Sequence, residues 1–327
     1  MFIINNKNNN KGKNMNNLKK IGLTALAASL VTTSAFAGEM SVAGSASIGV
    51  KNTTGTATTL GKSWTMGNQL TFTGGGELDN GMNVSLSFII DQADDSTTGL
   101  ANSPFDSHSV TISSDALGSF KFSGEGGSSA QGAMDAGAAG DLWNNGTGVA
   151  EITGAAAGNN SMFYTLPSMV DGLEVTASMS PGRAAQETHT SYGVAYTGVE
   201  GLTVKFGQGD SGAPGAEIES TTMMASYAIG SFTVSASNTE ADKTGANNRE
   251  VRSYQVAYTL SDSMSATYGT ETYETVTAAT DEEIDSFGVS YTTGGMTLSA
   301  NTFDTEGAGN TAGAKTERWA LGLSFAF

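Results

Sequence analysis

The chain has 327 residues, with 32 acidic side chains against 15 basic ones, a formal charge of −17, and no cysteine. So acidic a balance repels nucleic acid and excludes a polyanion-binding role. Without cysteine there is no disulfide framework, no thiolate metal site and no thiol nucleophile.

Residues 1–37 are expected to lie outside the fold. Lys19 and Lys20 precede an apolar run over 21–31, and Ala35-Phe36-Ala37 has the small-x-small pattern of a signal-peptidase site. This is the order of a secretory signal, and the run is short for a membrane-spanning helix. A second methionine, Met15, opens a signal of ordinary length, so 1–14 reads as an upstream extension. The expected mature domain is 38–327. It keeps all 32 acids and loses Lys7, Lys11, Lys13, Lys19 and Lys20, which leaves 10 − 32 = −22.

An exported chain rich in Gly, Ser and Thr and poor in Pro reads as β structure or as disorder, and periodicity decides between them. In 82–91, Met82, Val84, Leu86, Phe88 and Ile90 alternate with Asn83, Ser85, Ser87 and Asp91. That is the period of a strand with one apolar face. Similar alternation over 40–50, 69–78, 107–113, 120–123, 161–166, 173–180, 190–197 and 202–208 predicts further strands. The series continues over 222–229, 232–237, 251–260, 264–273, 284–291, 296–303 and 319–327. Short turn-type links (such as 79–81, 230–231 and 261–263) alternate with polar, Gly-rich links at 51–63, 92–106, 124–160, 181–189, 209–221, 238–250, 274–283 and 304–318. An up-and-down barrel has this order, short turns on one side and long loops on the other.

The last stretch, Trp319-Ala-Leu-Gly-Leu-Ser-Phe-Ala-Phe327, places Trp319, Leu321, Leu323, Phe325 and Phe327 on one face and only small residues on the other. A greasy strand edge of this kind needs a partner, and pairing with the first strand closes the sheet. With its even strand count, loop alternation and terminal Phe327, the mature chain resembles general diffusion porins of the Gram-negative outer membrane, the sixteen-stranded trimeric type. The resemblance implies an all-β transmembrane barrel whose long third external loop, 124–160, folds into the lumen. It implies a homotrimer surrounded by outer-membrane lipid and lipopolysaccharide, delivered by the barrel-assembly machinery, with Phe327, Phe325 and Trp319 as closure and assembly signal. It implies passage of small hydrophilic solutes and no chemical step. A substrate-selective channel and an exported adhesin or surface protein are the alternatives.

The third loop carries Glu125, Asp135, Asp141 and Glu151 and no base. These acids are expected at the constriction, where fixed charge biases which ions pass. Strand parity aims Lys121, Lys205 and Arg318 inward but at different depths, so cation preference is expected. Small outward residues of the first two strands, Gly44, Ala46, Gly74 and Gly76, suggest the subunit contact. The Gly207-x-Gly209-x-x-Gly212 match lacks a following helix and is read as chance. His108 and His189 are expected to be solvated. Asp94-Asp95 and the acidic run at 281–285 can hold Ca²⁺ or Mg²⁺ only loosely, and no cofactor or catalytic group is expected.

Overall fold

The computed structural model describes residues 40–56, 61–91, 105–135, 137–140, 142, 152, 154–182, 187–244 and 246–327. Sixteen strands follow one another: β1 Met40–Gly55, β2 Gly61–Glu77, β3 Asn83–Asp91, β4 Phe105–Ser114, β5 Gly118–Glu125, β6 Ser161–Thr165, β7 Leu173–Ser180 and β8 His189–Tyr196. The second half comprises β9 Leu202–Ala213, β10 Ala216–Ile229, β11 Phe232–Lys243, β12 Ala246–Ser261, β13 Met264–Thr275, β14 Glu282–Thr293, β15 Met296–Glu306 and β16 Lys315–Ala326. Each pairs antiparallel with its sequence neighbours, and β1 pairs with β16 to close the barrel. Closure runs to the last residue: Phe327 N–H donates to Gly44 O at 2.9 Å and Gly44 N–H to Phe327 O at 2.6 Å. The Phe327 ring lies over Gly44, where a Cβ would come within 2.4 Å of it. No sheet edge is left open, which is the condition for a β structure in lipid.

Outward positions form an apolar belt. Val204, Val234, Val256, Phe287, Leu298 and Leu321 are all exposed on strands whose intervening residues are small or buried. Above the belt the outward side chains turn acidic on β10–β16. Glu240, Glu250 and Glu274 stand opposite one another on β11, β12 and β13. Asp285, Asp304 and Glu317 do the same on β14, β15 and β16. Like charges in direct register are destabilising, and Arg252, which bridges Glu250 at 3.9 Å and also pairs with Glu274, offsets part of this. Much of the acidic charge of β10–β16 therefore sits on the outer face of the wall, while Glu271 and Glu282 are buried on its inner face.

The wall is uneven in height. Strands β9–β16 run for 11 to 16 residues, and β1 and β2 for 16 and 17. Strands β5, β6, β7 and β8 have only 8, 5, 8 and 8. At ~3.3 Å per residue and ~40° tilt, the low side rises roughly 13–20 Å and the high side roughly 28–43 Å.

All sixteen expected strands are present, but three expected loops are largely strand. Segment 209–221 is the top of β9 and β10 joined across Pro214-Gly215, and 238–250 continues β11 into β12. Segment 51–63 likewise extends β1 and β2. Above the apolar belt both faces of a strand are polar, so alternation vanishes while the hydrogen-bond ladder continues.

Candidate pore constriction

The segment between β5 and β6, residues 126–160, is called L3 here. Its base is pinned by an antiparallel bridge, Gly127 N–H to Gly158 O at 3.1 Å and Gly158 N–H to Gly127 O at 3.0 Å. A short helix, α1 (Ala130–Met134), follows with Ser129 as N-cap, its Oγ accepting from Gly132 N–H at 2.9 Å. The helix lies on the inner side of the wall, over β7–β10. Ala130 N–H donates to Ser178 Oγ and Ser191 Oγ, both at 2.9 Å. Further along, Ala138 N–H donates to Ser237 Oγ at 2.8 Å and Ala139 N–H to Ser253 Oγ at 2.7 Å. Hydroxyls on successive strands thus form a rail that satisfies loop backbone which would otherwise be buried without partners. The floor is kept low by glycine. A Cβ at Gly193 would sit 2.7 Å from Ala130 O, and one at Gly207 2.9 Å from Gln131 Cα. In the Gly207-x-Gly209 match, Gly207 is therefore a floor for α1 and Gly209 lies under Ala155 of the returning limb.

Two apolar contacts fix the far end of L3. Leu142 and Ala139 pack with Ile284 and Phe303, and Ile152 packs with Ala241, Val251 and Tyr273. The buried apolar side chains thus gather where L3 meets the wall, in these clusters and at Ala130 and Met134 of α1. The described part of L3 therefore crosses the interior along the wall from β7 to β14.

Asp135 ends α1, and its Oδ1 accepts from Thr239 Oγ1 at 2.9 Å. Asp141 and Glu151 lie outside the described residues. Glu125 is set apart from α1: it closes β5 in register with His108, whose Nδ1 is 4.0 Å from its carboxylate. Lys121 shares the face of buried Ser123, between exposed Phe120 and Phe122. Lys205 shares the face of Gly207, the α1 floor. Each is the fourth residue from the short-turn end of its strand. Arg318 is the fourth residue from the opposite end of β16, and its guanidinium stands 5.7 Å from the centre of the Phe303 ring. Lys51 on β1 faces the same way as Arg318, diagonal to it across the β1–β16 ladder. Two bases thus share a level near the end of L3, a pairing that the sequence reading missed by placing Lys51 in a loop.

A family model described as Gram-negative porin matches residues 22–269. The chain belongs to the Gram-negative porin family. It is therefore a channel protein of the outer membrane of a Gram-negative bacterium, with its short turns on the periplasmic side. Solved porins share the fold at low identity. An anion-selective porin from Comamonas acidovorans is 14% identical, with a TM-score of 0.64 over 88% of this chain and 99% of that one. Outer-membrane OmpT of Vibrio cholerae is 16% identical, with a TM-score of 0.65 over 90% and 99%. A trimer form of the same Vibrio protein gives 16% and 0.64 over 89% and 100%. No curated protein matches at a significant level.

One other sequence expectation changes in this porin. His189 is mostly buried and hydrogen-bonds Asp210 at 2.7 Å, so it is not a solvated histidine. The acidic run at 281–285 does not converge on a cation. Glu282 points inward, fully buried, and accepts from Gly309 N–H at 2.6 Å, while Glu283 and Asp285 face out. Among the described residues no group of three or more metal-type ligands forms. The seryl and threonyl rail was hidden in the sequence because Ser and Thr at inward positions look like ordinary strand filler.

Proposed function

We propose that this porin is a passive, water-filled diffusion channel for small hydrophilic solutes and ions, narrowed by L3 and preferring cations. The observation that carries the reading is L3 held inside a closed sixteen-stranded wall by hydroxyls of β7, β8, β11 and β12. Selectivity in such a pore follows from charge at the narrowest level, not from the fold. An anion-selective relative is therefore compatible with a cation-preferring chain. The preference rests on Asp135, Asp141 and Glu151 in L3, which outnumber Lys51 and Arg318 on the facing wall. It does not rest on the net charge alone, because part of that stands as a collar on the outer face of the wall. Under a KCl gradient the reversal potential should have the sign for K⁺ over Cl⁻. Changing the three L3 acids to Asn, Asn and Gln should move it towards zero, and more so at low salt. Anion preference in the unaltered protein would defeat the charge argument.

The assembly that fits is a homotrimer, as one Vibrio relative forms. The low wall, β5–β8, is the surface best suited to the contact. An 8-, 5-, 8- and 8-residue run falls short of the 9–11 residues that a strand needs to cross lipid. The outward residues there (Phe120, Phe122, Met162, Val175) are nonetheless apolar, which suits cover by protein. Strands β1 and β2 are tall enough to face lipid unaided, so the contact moves from them to β5–β8. Phe122→Arg should release monomers with an intact barrel. Ala266→Arg on the high wall should keep trimers and cost the barrel about 2–4 kcal/mol. Trimers surviving Phe122→Arg would place the contact elsewhere.

A further inference from the structure

A chain of hydrogen bonds with one fixed direction joins both limbs of L3 to the wall. Ala155 N–H donates to Gln131 Oε1 at 2.9 Å. The same amide donates from Nε2 to Thr222 Oγ1 on β10 at 2.7 Å. Thr222 and Thr239 hydroxyls are 3.0 Å apart, and Thr239 donates to Asp135 Oδ1 at 2.9 Å. A hydroxyl has a single hydrogen. Thr239 gives its own to Asp135, so the hydrogen between the threonines must come from Thr222. The direction is therefore set from the Ala155 amide to the Asp135 carboxylate. Gln131 and Thr222 are fully buried and Thr239 is 4% exposed, so water cannot replace a missing link. Glutamine meets the need at 131 because it accepts from Ala155 and donates to Thr222 at once. An ionised carboxyl there would accept only. Thr222 would have to turn its hydrogen towards it, and Thr239 cannot serve both Thr222 and Asp135.

We propose that Gln131 is the clasp that sets the bore of this channel. It is a positioning residue. Its amide ties the outgoing limb at α1 to the returning limb at Ala155, and through two threonines it fixes where the Asp135 carboxylate stands. The proposal rests on the reading of L3 as the constriction. The lumen beside the clasp is a cavity of about 580 Å³ bounded by Gln131, Asp135, Gly154, Thr239 and Tyr273, into which a loosened limb can move. Loss of the clasp loosens both limbs at once, although Ala130 keeps its bonds to Ser178 and Ser191 and Ala156 its bond to Asp210 O, so the effect on the bore exceeds that of any single wall contact.

The test is single-channel recording on the purified full chain, with heat-modifiable migration as the check on folding. Gln131→Glu keeps the size of the side chain but removes the donor. At pH 7 it should raise open-channel conductance roughly twofold and add current noise as the lumen widens. Near pH 4 the introduced carboxyl regains a proton, and with it one donor and one acceptor, so conductance should fall back towards that of the unaltered protein measured at the same pH. Thr222→Val breaks the same chain one link further on. It should raise conductance at both pH values, and combining it with Gln131→Glu should add nothing. A chain with 130–155 replaced by a short Gly-Ser link separates the two ideas. Higher conductance there, with unaltered conductance and no pH response in Gln131→Glu, overturns the clasp and leaves the constriction standing. Unaltered conductance in the shortened chain overturns the constriction itself. Additive effects of Gln131→Glu and Thr222→Val also overturn the clasp, because they would show two independent contacts.

Discussion

Gly207 is the place where a single side chain should lift L3 off the wall without touching the barrel. A Cβ there would lie 2.9 Å from Gln131 Cα, 3.0 Å from Gln131 O and 3.1 Å from Met134 Cβ. Carbon contacts are comfortable near 3.5–4.0 Å, so even alanine asks α1 to shift by about 0.5 Å, and leucine by several times that. The barrel ladder through Gly207 uses backbone alone, pairing it with Gly193 and Thr222, and stays intact. What is lost is the helix anchorage. Four hydrogen bonds go with it: Ala130 to Ser178 and Ser191, Gln131 to Thr222, and Ala155 to Gln131. At a net 0.5–1.5 kcal/mol each they contribute about 2–6 kcal/mol to docking. Gly207→Leu should therefore fold as a heat-modifiable barrel, conduct more per channel than the unaltered protein, and close at lower voltage. Gly207→Ala should fall between the two. A folded Gly207→Leu barrel with unaltered conductance and voltage response would refute the claim that α1 on this floor limits flow.

Three further outcomes follow from other parts of the wall. Phe327→Asp removes the ring that covers Gly44 and should cut the yield of heat-modifiable barrel sharply, whereas Gly313→Ser in the last loop should not; equal yields would count against terminal closure as an assembly determinant. Asp304→Lys converts two like-charge oppositions, with Asp285 and Glu317, into attractive ones, so the unfolding temperature should rise by the equivalent of ~0.4–2 kcal/mol at low salt and less at high salt; a drop would show that the collar is already compensated. Lys51→Gln combined with Arg318→Gln should shift the reversal potential further towards K⁺, and a shift towards Cl⁻ would mean that this pair does not face the ion path.

The number and order of the strands were legible because the apolar belt imposes a period of two wherever a strand crosses it. Segments 120–123 and 222–229, where the faces separate less cleanly, are strands β5 and β10 all the same. Strand ends were not legible. Asp210, Glu219, Glu240 and Glu250 stand above the belt, where neither face is apolar, and their stretches read as loops. The misplacement of Lys51 has the same cause. Its partner Arg318 was recognised because Trp319, next to it, still belongs to the belt. In the constriction, the acids of L3 stood out as a group without bases, but Gln131 did not. Its role depends on Ala155, Thr222 and, one link further, Thr239, which lie 24 to 108 residues away in sequence.

By itself, then, the sequence determined what depends on local alternation and on charge: an exported, cysteine-free, all-β wall with sixteen crossings, one long acidic insertion and a strand-terminal Phe327. Only the tertiary structure decided where the charge of that wall is spent, which strands are too short to meet lipid alone, and how L3 is held. The reason is physical. Side-chain direction along a strand is fixed by a two-residue repeat, whereas height on the wall and contact with an inserted loop are fixed by the register between strands, and register is a property of pairs that no single segment contains.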